Sequence, residues 1–288
     1  MENHVKHGEY VLTPMSFDAV ILKRNQRSAR VRRLIDGEEI TFRSSGFWRL
    51  VPGQVVTLHP ERRWTYGGHA YASGSVASPR VEIAALGLKP LRLEDQGLMD
   101  PCASYDFLEQ PPLLRRMWLQ TSKPRTCFEM EQVLPGVDPV LDDIDEDPII
   151  MASELNQAKD RMRAREILGD LLVRDLRCLD AHAHLGNFAF DRRPEEALLH
   201  YDVGVRIGEL SLGAGFTGLL PWGCVDNRPF LRCLHGKGLM LWRIGRLEEA
   251  EQVFERMLWL NPADDQGAGF CWLGVKAGRS WRSSALEA

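Results

Sequence analysis

The chain has 288 residues, 44% of them hydrophobic, and 36 Lys+Arg against 40 Asp+Glu. Those values exclude wholesale disorder and a uniformly basic nucleic-acid coat, and the length suggests about two domains. No apolar run approaches the roughly 18 residues of a membrane span, and MENHVKHGEY lacks the pattern of a secretory signal, so a cytoplasmic protein without a membrane partner is expected.

Charge is uneven along the chain. Residues 1–90 carry a net +5, residues 91–157 a net −9 and residues 158–288 a net of 0. Between Tyr10 and Ile83, β-branched and aromatic residues alternate with frequent breakers, which predicts short strands. Ser28–Ile35 reads as a strand, Asp36-Gly37 as a hairpin turn, and Ile40–Arg43 as the returning strand. Pro52-Gly53 turns into a strand over Gln54–His59, and the glycine-rich WTYGGHAYASGSV follows. Residues 1–90 are therefore expected to form a small basic β-barrel or sandwich. The segment PGQVVTL resembles, in a generic way, the turn–strand units of SH3-like and OB-like barrels. Arg30, Arg32, Arg43, Arg62 and Arg63 lie close in sequence to Trp48 and Trp64. Cations for phosphates beside aromatic faces for bases are what single-strand nucleic-acid binders use. The same residues serve equally as barrel filling and solvated exterior.

Residues 91–133 are expected to be partly helical, with Pro111-Pro112 opening a helix over LLRRMWLQ. Residues 134–147 combine Pro135, Gly136 and Pro139 with the run Asp142-Asp143-Ile144-Asp145-Glu146-Asp147, and read as an acidic linker.

Residues 148–288 contain a repeat. In RCLHGKGLMLWRIGRLEEAEQVFERMLWLNP, Gly238 and Ala250 are small residues where helices cross. Phe254 fills the gap between them, Gly245 makes the turn and Pro262 ends the unit. A second copy spans about 178–209, with Leu185-Gly186, Ala197 and Tyr201 at the matching places. A third and weaker copy, about 147–176, carries Ala164 and Leu168. These segments resemble tetratricopeptide repeats, the best of them at 230–262, with an insert at 210–229 and a C-terminal cap near Gly267–Ala277. The resemblance implies an α-helical solenoid, hence an α+β chain, and a protein or peptide partner held in a concave groove. On that alignment the groove presents Asp180, Asn187 and Asp191 from one repeat and Arg232, His235, Trp242 and Arg243 from the next. The apolar insert adds Trp222 and Arg228, and Asp226 or Asn227 is expected to cap the helix that follows. Cys178, His182 and His184, and again Cys224, Cys233 and His235, cluster without the paired spacing of a zinc site. No phosphate loop, HExxH or GxSxG is present, so no catalytic residue, metal or cofactor is nominated. The expected role is a non-enzymatic adaptor, with nucleic-acid binding by the β-domain as its alternative.

Overall fold

The computed structural model describes residues 15–104, 111–121, 123–137 and 147–281. Most of the acidic run expected as a linker lies outside them. The chain divides into two compact units, Met1–Leu88 with Leu172–Leu176, and Lys89–Leu171 with Arg177–Ala288. It has the α+β organisation expected, a closed β-barrel followed by a helical region.

In the first unit the barrel is built from β1 (Phe17–Arg24), β2 (Ser28–Arg33), β3 (Glu39–Arg43), β4 (Val55–Tyr66) and β5 (His69–Arg80), joined in the order β1-β2-β3-β5-β4. Neighbours are antiparallel except β3 and β5, which run parallel with Phe42 opposite Ala72. Ile21, Val31, Ile40, Phe42, Val56 and Leu58 alternate inward and pack with Phe47 to form the core. Removing that apolar surface from water is the main driving force. The glycine-rich stretch is a regular hairpin: Gly67 and Gly68 both take positive φ, as its tight turn requires, and Trp64 faces Tyr71 across it. Gly74 lies opposite the bulge between Pro60 and Arg62, where a Cβ would collide with the His59 carbonyl oxygen.

The second unit opens with a ribbon that the sequence did not disclose, β6 (Leu93–Met99) antiparallel to β7 (Arg125–Met130). Between its strands lie α1 (Pro101–Ser104) and α2 (Pro112–Thr121), the latter opened by proline as expected. There follow α3 (Pro148–Gln157), α4 (Arg161–Arg174), α5 (Leu179–Ala189), α6 (Pro194–Leu212), α7 (Arg228–Arg243), α8 (Leu247–Leu260) and α9 (Ala268–Lys276). Each helix from α5 to α9 packs on the next, and α5 also lies against α7, and α7 against α9.

Small residues set these crossings. A Cβ at Gly186 of α5 would stand 2.5 Å from the Tyr201 ring of α6, and one at Gly238 of α7 would stand 2.6 Å from the Phe254 ring of α8. A Cβ at Gly236 of α7 would stand 2.3 Å from the same Tyr201 ring. Tyr201 and Phe254 are both fully buried, as are Ala197 and Ala250. Glycine thus lets an aromatic ring enter the helix surface and brings the axes together.

The insert is seated on the ribbon. Leu219 makes an isolated parallel bridge with Cys127: its C=O accepts from Phe128 N–H at 2.9 Å and its N–H donates to the Thr126 C=O at 2.8 Å. Leu220 N–H donates to the Leu260 C=O at 2.8 Å. Asn227 does occupy the position that precedes α7, but its side chain does not cap the helix. Fully buried, its Oδ1 accepts from Met130 N–H at 2.8 Å, while its Nδ2 donates to the Phe128 and Pro221 carbonyls at 2.9 and 3.1 Å. The expected cap is corrected because β7 offers that amide an unpaired peptide edge, and a buried amide goes where both its donor and its acceptor are matched. Among the described residues no helix is long and apolar enough to cross a membrane.

Candidate functional site

Two small clusters form where α5 and α7 run side by side. At one end Asp180, only 6% exposed, accepts from Arg232 Nη1 at 2.8 Å. Gln132 Nε2 and His184 Nε2 stand 3.5 and 3.7 Å from the same carboxylate. The Arg232 guanidinium lies 5.8 Å from the centre of the Trp222 ring and that of Arg228 lies 5.2 Å from it. Arg228 Nε also donates to the Trp222 C=O at 3.0 Å, and Trp222 N–H donates to Asn261 Oδ1 at 3.3 Å. Residues chosen from two repeats and from the insert therefore meet: Asp180, Trp222, Arg228 and Arg232. Asp180 is thus matched by Arg232.

At the other end Arg243 caps the C-terminus of α5, donating from Nη1 to the Phe190 C=O at 2.5 Å and from Nη2 to the Asp191 C=O at 2.9 Å. Its guanidinium also lies 5.7 Å from the Phe190 ring. Trp242 Nε1 donates to the Arg279 C=O at 2.7 Å, and the Trp281 ring stands edge-on to Trp242 at 5.4 Å and tilted against Phe190 at 6.1 Å. Trp281 was missed from sequence. The signal was there, an isolated tryptophan three residues past the helix-stopping Gly278.

The remaining candidates fall elsewhere. Asn187 is exposed at the surface, but its Oδ1 accepts the Tyr201 hydroxyl at 2.6 Å. Burial pushes that phenol far above its ordinary range. Asp191 leaves its carboxylate in solvent and contributes only its carbonyl. His235 turns away toward α8, edge-on to Phe254 at 6.3 Å, with Nε2 buried and unpartnered among the described residues. Burial holds its pKa down to about 4. His184 is lowered in the same way, chiefly by burial.

Arg125 is a second residue that sequence reasoning passed over. It donates to the Thr121 and Trp259 carbonyls, both at 2.7 Å, and to the Thr217 C=O at 3.2 Å, so one guanidinium closes the last turns of α2 and α8 and holds the insert. Burial, with Arg256 nearby, lowers it to about 10. An apolar cleft of about 130 Å³ lies between α2, α8 and α9, lined by Leu114, Trp118, Leu258 and Phe270 with Asp264 at its edge. Asp264 caps α9 through bonds from the Ala268 and Gly269 N–H groups, and burial raises its carboxyl to about 6. Burial likewise drives the Cys127 thiol up to about 12 and Cys233 higher still, which disfavours nucleophilic thiolates. Among the described residues no group of three His, Cys, Asp or Glu side chains is placed to hold a metal.

On the barrel, Trp64 and Tyr71 stack at 5.7 Å with Arg43 5.3 and 5.9 Å above the two rings. Trp48 is 59% exposed beneath Arg49. Arg30 is paired with Glu39 and Arg63 with Glu38, so two of the candidate cations are already neutralised. Arg32 and Arg62 lie on β2 and β4. Comparison with protein families, with curated proteins and with solved structures gave no match.

The buried His235 fixes a pH dependence. An unfolded chain takes up its proton near pH 6.5, whereas the folded one resists until about pH 4. This stabilisation is complete above pH 6.5 and is lost as pH falls, at roughly 1.4 kcal/mol per pH unit. Urea unfolding should show the parent losing about 2–3 kcal/mol more than His235→Phe between pH 6.5 and 4.5. Parallel losses in the two proteins would contradict the burial of this ring.

Proposed function

We propose that the protein is a non-enzymatic adaptor whose helical region is a tetratricopeptide-like array that grips a peptide segment of another protein. The observation that carries the reading is the meeting of aromatic rings and guanidiniums along α5 and α7, with Arg228 and Arg232 near the Trp222 ring at one end, and with Arg243 near Phe190 and the Phe190 and Trp242 rings both against Trp281 at the other. Helices that cross at Gly186–Tyr201 and Gly238–Phe254 support the repeat assignment, because those are the small and aromatic positions of the motif. The fit is to an extended segment with acidic and aromatic side chains: carboxylates for the guanidiniums, rings for the tryptophans. Of the insert, Leu219, Leu220 and Pro221 are buried, while Trp222 and Arg228 are half-buried and Val225 is exposed.

Arg228→Glu combined with Trp242→Ala changes this face without touching the Asp180–Arg232 pair. Affinity capture from native lysate should lose its protein partner at least about tenfold while the far-ultraviolet spectrum is kept. Capture that is unchanged would place the partner surface elsewhere.

A second reading is favoured by the barrel. Five-stranded barrels of the OB type bind oligonucleotides across strands 2 and 3 and the loop joining strands 4 and 5. Here Arg43 of β3 lies over the Trp64–Tyr71 stack beside the β4–β5 turn. If the barrel binds single-stranded nucleic acid, the intact chain should retain a labelled oligonucleotide at low salt, release it steeply as salt rises, and lose it on Arg43→Glu with Trp64→Ala. No retention at low salt would remove this reading.

A further inference from the structure

The segment that follows α9 occupies one end of the α5–α7 face. Gly278, at φ +65°, ends α9: its N–H donates to the Val275 C=O at 2.8 Å and Arg279 N–H donates to the Gly274 C=O at 3.0 Å. That paired bond pattern reverses the chain in a fixed direction. A Cβ at Gly274 would stand 2.8 Å from the Trp242 ring, so α9 reaches this ring only because that residue is glycine. The reversal carries the Arg279 carbonyl to Trp242 Nε1 at 2.7 Å and sets the Trp281 ring in the corner between Trp242 and Phe190. Arg279 and Ser280 stay exposed. One backbone carbonyl is held, one half-buried ring is packed two residues later, and Ser280 between them is exposed. Those are the elements by which a groove reads an extended peptide.

We propose that the Phe190–Trp242–Arg243 corner is a docking site for an aromatic side chain of a partner protein, and that the chain's own Arg279–Trp281 fills it as an internal ligand until the partner displaces it. The inference rests on the adaptor reading and adds the partner's chemistry: a tryptophan, or another large aromatic residue, two positions after a carbonyl that accepts from Trp242. A tethered segment competes at an effective concentration on the order of millimolar, so a ligand held by one ring and one hydrogen bond is both present by default and replaceable.

The test uses the full chain, its Trp281→Ala variant and a second form ending after Gly278. The probe is a fluorescein-labelled, amidated peptide of residues 277–281, read by anisotropy. Both altered chains should bind it at least about tenfold more tightly than the parent. A peptide with Trp281→Ala should bind none of them, and Trp242→Phe, which keeps the ring and removes the N–H, should weaken binding to the Trp281→Ala chain. Equal binding to all three chains, or none to either altered chain while its circular dichroism is native, overturns the proposal. So does a parent that sediments as a dimer dependent on Trp281, since the corner would then belong to a second copy. Lysate capture separates this inference from the adaptor reading. A partner captured equally with and without Trp281 leaves the adaptor standing and removes the internal ligand. Peptide binding without any captured partner leaves the internal ligand standing and removes the partner that would displace it.

Discussion

The helical region depends on one side chain being allowed into the surface of two helices. The Tyr201 ring is 0% exposed and presses on Gly186 of α5 and Gly236 of α7 at once, and its hydroxyl is satisfied by Asn187. Any side chain at either glycine would push a helix away. The spacing of α5, α6 and α7 is therefore set by a ring thickness rather than by the usual Leu-on-Leu contact. Phe254 against Gly238 repeats the device one hairpin later. Because α5 and α7 are held this close, residues far apart in sequence meet across them: Asp180 with Arg232, and Phe190 and Asp191 with Arg243.

A second constraint fixes the segment between α6 and α7. Burying peptide groups requires partners for them, and the ribbon β6–β7 has an edge to fill. Leu219 supplies one bridge to that edge and the Asn227 amide supplies two more bonds. Arg125 joins the same junction to the ends of α2 and α8. The insert is thus a structural splice, and it delivers Trp222 to the guanidiniums of α7 as a consequence of being seated there.

Legibility from sequence followed the range of the forces involved. Local signals were readable: Asp36-Gly37 lies in the turn between β2 and β3, proline opens α2, and the glycine–aromatic spacing around Gly186, Tyr201, Gly238 and Phe254 falls where helices cross. The β6–β7 ribbon was not readable, because most of β6 is exposed and its pattern carries no apolar alternation. Asn227 was read as a cap because capping is the local use of asparagine, while two of its three partners are about a hundred residues away. Of the candidate groove residues, Trp242, Arg232 and Arg243 come together with aromatic or acidic partners. His235 turns into the helix interface, which a one-residue error in assigning a helix face is enough to produce. Trp281 stands out in the sequence as a tryptophan just past a helix-stopping glycine, but which rings it meets depends on the direction the chain takes after Gly278.

The central claim is that the Tyr201 ring, set into glycine notches, fixes how the helices stack. A stability cycle with Gly236→Ala and Tyr201→Leu, followed by chemical denaturation, tests it most directly. In an ordinary helix interior, glycine to alanine stabilises by about 1 kcal/mol. With Tyr201 present, Gly236→Ala should instead destabilise by about 1–3 kcal/mol through overpacking. In the Tyr201→Leu background the same change should become neutral or stabilising. An alanine at 236 that stabilises the parent chain, or that has the same effect in both backgrounds, would contradict the account.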